Sequence, residues 1–87
     1  MVDPALRDQV IQRLLAATDA KITAEKIDDT TSFRRDLDIS SMTLIALAAD
    51  LEDELKINID DSELVRIETV GDLFKVIANH TRSAGRA

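Results

Sequence analysis

The sequence predicts an all-α fold: a four-helix bundle with three longer helices, one short helix and a long ordered loop between helices one and two. Three observations predict it. Apolar residues recur at helical spacing in three segments, residues suited to a helix start stand ahead of each, and the core-forming residues are almost entirely Leu, Ile and Val, with Phe33 and Phe74 the only aromatics. A chain of 87 residues points to one domain with one core, of modest stability because so small a domain buries a limited share of its surface.

The first helix is expected from about Pro4 to about Thr18. Asp3 can cap, Pro4 suits the first helical position, and Leu6, Val10, Ile11 and Leu14 form the buried stripe. Residues 19–39 lack a sustained stripe and carry isolated apolar residues, Ile22, Ile27, Phe33, Leu37 and Ile39. A loop this long inside a small domain calls for anchoring. Those five side chains are expected to pin it as an ordered crossover, with turns from Asp28, Asp29, Thr30, Thr31 and Ser32.

The second helix opens at Ser40 and Ser41 and extends to about Leu55. Leu44, Leu47, Ala48, Leu51 and Leu55 make its core face. Met42, Ile45, Ala46 and Ala49 lie on other sides, which implies a second packing partner, either outside the chain or within it. Ile57 and Ile59 lead into a short helical turn over Asp60–Arg66, opened by acids that suit a helix N-terminus. The last helix starts at Thr69, a capping hydroxyl with Asp72 three residues on as a weaker capping box, and buries Val70, Leu73, Phe74 and Ile77. From His80 onward the residues read as a tail.

The net charge of −6 is concentrated. Nine of the seventeen acids lie between residues 36 and 63, against Lys56 alone. Such a surface repels nucleic acid and attracts basic partners; the plain alternative is a solvated face that keeps the protein soluble. Without cysteine there are no disulfides or thiolate metal sites. The N-terminal residues show no secretory signal pattern, and the longest apolar run, Leu44 to Ala49, is far short of the roughly 20 residues of a membrane span, so a cytoplasmic protein is expected.

Catalytic constellations are not assembled by these residues. His80 is the one histidine, suited to a contact with a helix dipole rather than to base catalysis. Asn58, Asp60 and Ser62 suggest a calcium loop, but Glu63 stands where that loop needs Gly and Thr69 where it needs a bidentate Glu. Gly71 and Gly85 are the only glycines, which excludes a phosphate-cradling Gly-rich loop. Enzyme activity is not expected of these residues.

Three blocks then bear a resemblance to the acyl carrier protein family. Thr31-Ser32-Phe33-Arg34-Arg35-Asp36-Leu37 is similar to the family's loop ahead of its modified serine. Ser40-Ser41-Met42, followed by Leu47-Ala48-Ala49-Asp50-Leu51-Glu52-Asp53-Glu54-Leu55, resembles its Asp-Ser-Leu motif and the helix ending in an acidic cluster. Ile57-Asn58-Ile59-Asp60-Asp61 and Ile67-Glu68-Thr69-Val70-Gly71-Asp72-Leu73 look like its short third helix and the start of its fourth. The likeness spans Ile22 to Ile77. It implies a single carrier domain over residues 1–80 with a flexible tail over 81–87.

The resemblance further implies that Ser41 carries 4'-phosphopantetheine, donated from coenzyme A by a phosphopantetheinyl transferase. Acyl groups would ride on the arm, as in fatty acid biosynthesis and other lipid metabolism. Ser41 suits a phosphodiester physically, since unpaired N–H groups and the helix dipole favour an anion at a helix start; the plain alternative is that Ser40 and Ser41 only cap the helix. Met42, Ile45 and Ala49 are the candidates for apolar docking. Asp50, Glu52 and Asp53 are the candidates for steering toward acyl-transferring or acyl-modifying enzymes with basic surfaces. A monomer is expected.

Three departures stand out: Ser40 replaces the family's Asp, Met42 its Leu, and Thr43 and Ala46 stand in the first half of helix two where the family often has acids, which points to a specialised carrier. Rival readings are an unmodified carrier-like scaffold, a carrier of amino or aryl acids for peptide assembly, and a small enzyme.

Overall fold

The computed structural model describes the backbone of residues 4–85 and the side chains of residues 4–80. Helix α1 spans Pro4–Ala17 and buries Val10, Ile11 and Leu14, with Leu6 half-buried. The proposed cap Asp3 lies outside the described residues. At the other end the Thr18 N–H donates to the Leu14 carbonyl (3.0 Å), and the Thr18 hydroxyl donates to the Leu37 carbonyl. The end of α1 thus holds the far end of the loop.

That loop is ordered, as its anchors require. Ile27, Phe33, Leu37 and Ile39 are buried and Ile22 is half-buried, so each isolated apolar residue is a peg into the core. The unexpected element is a short 3-10 turn over Ala24–Lys26, which carries no periodic signal because it is one turn long. Asp28 organises the next bend by accepting from the Thr30 N–H (2.9 Å) and the Thr30 hydroxyl (2.6 Å). Residues 29–33 are then strapped to the start of the last helix. Gly71 N–H donates to the Asp29 carbonyl (3.0 Å), Val70 N–H to Thr31 (2.9 Å) and Phe33 N–H to Glu68 (3.1 Å), around an antiparallel bridge between Ser32 and Thr69.

Helix α2 spans Ser41–Leu55 and buries Leu44, Leu47, Ala48 and Leu51, with Leu55 half-buried. It ends on Lys56 in the left-handed region (φ 58°), a conformation that lets the Ile57 N–H close back on the Glu52 carbonyl (3.1 Å). The Glu52 carboxylate accepts the Ile59 N–H (2.9 Å), so one residue braces the connection twice. Helix α3, Asp61–Leu64, is short; the Asp60 N–H donates to the Glu63 carboxylate (3.1 Å).

Helix α4 spans Val70–Gly85 and buries Val70, Leu73, Phe74 and Ile77. Its capping box forms with Asp72 in the third position: Thr69 Oγ1 accepts the Asp72 N–H (3.2 Å) and Asp72 Oδ2 accepts the Thr69 N–H (3.2 Å). The helix continues past His80, where the sequence reading placed the start of a tail. His80 pairs with Glu63 on α3 rather than with a helix terminus (2.9 and 3.1 Å). Among the described residues there is no strand, and the buried side chains form one core cluster.

Candidate functional site

The site is built from a tight turn. Ser32 stands at its base: its carbonyl accepts the Asp36 and Leu37 N–H groups (3.0 and 3.1 Å) and its hydroxyl accepts the Arg35 N–H (3.1 Å). The Asp36 carboxylate returns the favour to the Ser32 N–H (2.7 Å). Asp38 then takes a positive φ of 51°, which Asp tolerates better than most residues. The reversal brings the Ile39 N–H onto the Phe33 carbonyl (2.7 Å) and delivers Ser40 to the head of α2.

Ser40 and Ser41 have different surroundings. Ser40 is the N-cap, extended at φ −75° and ψ 169°, and its Oγ accepts the Thr43 N–H (3.3 Å). Ser41 occupies the first helical position, exposed, and its Oγ has no hydrogen-bond partner among the described residues. The helix needs one hydroxyl, and Ser40 supplies it. First-turn N–H groups without intrahelical partners, together with the helix dipole, make that position favourable for an attached anion.

Beside Ser41 opens a groove of about 750 Å³ between the turn, the start of α2, and the α3 region. Phe33, Ile39, Leu44 and Ile67 are its buried apolar lining, with Leu64 half-buried. Ile45 and Val65 stand exposed on it, and Arg34, Arg35, Asp61 and Glu68 supply charge. The lining is chemically suited to an apolar ligand, and the Ser41 hydroxyl beside it is exposed.

The docking candidates divide. Met42 is 81% exposed and Ile45 55%, with Ala49, Asp50 and Asp53 also exposed. Their spacing puts Met42, Ile45 and Ala49 along one side of α2, so the second apolar face meets solvent rather than the core. Glu52 is half-buried and engaged by the Ile59 N–H, so its carboxylate braces the α2–α3 connection. Val65, 81% exposed, extends the apolar surface across the groove. Sequence reasoning missed it because a four-residue helix has no stripe from which to assign a side.

Charge on α3 is tied down as well. The hydrogen bond to His80, and next the Asp60 N–H, hold the Glu63 carboxyl below the ordinary glutamate range. Asp72 is lowered by the N–H groups it accepts from Glu68 and Thr69.

The family model described as phosphopantetheine attachment site matches residues 9–77. An acyl carrier protein of Lactobacillus acidophilus is 36% identical over 66 residues, covering 76% of this chain and 82% of its own length. In fold, the chain is similar to the hexanoyl acyl carrier protein of the actinorhodin polyketide synthase from Streptomyces coelicolor, with TM-score 0.78, 23% identity, and coverage of 88% and 91% of the two chains. It is also similar to the acyl carrier protein of Enterococcus faecalis, with TM-score 0.67, 28% identity, and coverage of 85% and 96%. These matches and the helical architecture agree: the chain belongs to the acyl carrier protein family, phosphopantetheine-binding carriers whose prosthetic group is attached covalently.

Proposed function

We propose that this protein carries acyl groups on a 4'-phosphopantetheine arm attached to Ser41. The observation that carries the reading is the exposed Ser41 hydroxyl, unpartnered at the first turn of α2 beside the apolar groove, while its neighbour Ser40 supplies the cap. When bound, the group supplies a terminal thiol on which acyl groups are held as thioesters. The chain's own residues present and position. The Ser32–Asp36 turn and the Asp38 reversal lead into the helix head, where the start of a helix favours an attached anion. Phe33, Ile39, Leu44 and Ile67 offer apolar cover for cargo.

Docking is assigned to the exposed side of α2. Met42, Ile45 and Ala49 make the apolar contact, with Asp50 and Asp53 steering toward basic rims and Glu52 adding charge from a braced position. The patch is small, which suits a carrier that must release each partner. A phosphopantetheinyl transferase is the first partner required, and acyl-transferring or acyl-modifying enzymes follow. The carrier domain is assigned to residues 1–80.

Incubation of the apo-protein with a broad-specificity transferase and coenzyme A, followed by intact-mass analysis, tests the attachment. A phosphopantetheine mass increment on the wild type, absent from Ser41→Ala, is expected. An unmodified wild type, or an adduct that persists in Ser41→Ala, would overturn the assignment; the former outcome favours an unmodified scaffold.

A further inference from the structure

Arg34 and Arg35 are adjacent, exposed and on the same groove as Ser41, and neither has an ion pair among the described residues. The chain around them carries a net charge of −6. The acid next in sequence, Asp36, is committed to the Ser32 N–H (2.7 Å), and the carboxylates that line the groove, Asp61 and Glu68, form no ion pair with them. The arginines nevertheless sit on a well-held backbone. The Arg35 N–H is bound to the Ser32 hydroxyl, and the following N–H groups of Asp36 and Leu37 close on the Ser32 carbonyl. Ordering that stretch of chain is therefore already accomplished by the fold, and only the side chains remain to be positioned.

We propose that Arg34 and Arg35 form an anion-holding pair at the mouth of the groove, which takes an oxyanion delivered through Ser41. This rests on the attachment assigned to Ser41. The guanidinium group is matched to this chemistry, presenting parallel N–H donors to two oxygens of a phosphate or carboxylate. Two sources carry such an anion: the phosphodiester that joins the arm to Ser41, and a carboxylate on the cargo. The arginines thereby restrain the base of the arm or select acyl groups with a charged end. Because both side chains are exposed, the interaction is screened by salt and is worth a factor of about two to five in occupancy.

The test follows the arginine Nε–H resonances by NMR in four forms of the wild type: apo, modified, butyryl-loaded and succinyl-loaded, each verified by intact mass. If the phosphodiester is the anion, the Arg34 and Arg35 resonances move between apo and modified forms, and the phosphorus resonance shifts in Arg34→Ala/Arg35→Ala. If a cargo carboxylate is the anion, they move only between the butyryl and succinyl forms. Added salt reverses either shift. Arginine resonances that coincide in all four forms overturn the anion pair while leaving the attachment intact. Failure to obtain the modified form overturns the attachment, and the pair with it.

Discussion

Ser40 and Ser41 are neighbours of identical chemistry, and position alone separates them. Removing the cap by Ser40→Ala should lower stability by about 1 kcal/mol, because the Thr43 N–H loses its acceptor. Ser41→Ala removes a hydroxyl without a partner and should change stability by less than about 0.5 kcal/mol. Chemical denaturation of the two apo-variants checks the contrast; equal losses would mean that both hydroxyls cap. Two other residues show how backbone conformation constrains choice. Lys56 holds a left-handed φ of 58° that costs a side chain more than it costs glycine, so Lys56→Gly should raise stability by about 0.5–1 kcal/mol, read as a higher denaturation midpoint at unchanged slope. Gly71 is the opposite case. A Cβ there would stand 2.8 Å from the Asp29 carbonyl oxygen, so Gly71→Ala must displace the strap and should cost about 1–3 kcal/mol in the same assay.

At the scale of elements, α3 is tied to α4 through Glu63, a group that titrates. Glu63 accepts from His80 on α4 and from the Asp60 N–H, and its carboxyl is lowered in the folded state. A depressed folded value means that the contribution is fully present above the unfolded value and is lost as pH falls through the folded one. Unfolded glutamate titrates at about 4.3, so weakening begins as pH approaches that value and is complete below the lowered folded one. Asp72, also lowered, adds the same sign at the head of α4. The expected outcome is a thermal midpoint that falls in this acid range, with a shallower fall in Glu63→Gln. An identical pH profile in that variant would remove the α3–α4 pair as a cause. Because Leu64 lies on the groove, loosening α3 also loosens one groove wall.

For the molecule as a whole, acidic charge and apolar exposure fall in one stretch of the chain. Nine of the seventeen acids fall between residues 36 and 63, where α2 also exposes Met42 and Ile45. Long-range attraction raises encounter rates with a basic partner, and exposed charges are screened over about 8–10 Å at ordinary salt. Reversing charge with Asp50→Lys and Asp53→Lys should slow modification by the transferase severalfold at low salt, with the gap narrowing as salt rises. Equal initial rates at low salt would place the steering elsewhere. Among the described residues no helix is long and apolar enough to cross a membrane.

Helix positions, core stripes, the pegs of the long loop, the capping box of α4 and the family were all legible in the amino-acid order. Each depends on spacing within a few residues or on a short pattern: Leu44, Leu47 and Leu51 share a face whatever else surrounds them. Tertiary structure alone decided which serine caps, that Glu52 braces α2 to α3, that Gly71 lies under Asp29, and that Phe33 and Ile67 share a groove with Arg34, Arg35 and Val65. It also moved His80 from the edge of a tail to a partner of Glu63. The physical reason is range. Periodicity reports which side of a helix meets the core, whereas these contacts join segments far apart in sequence, and their partners are set by how the loop and helices pack.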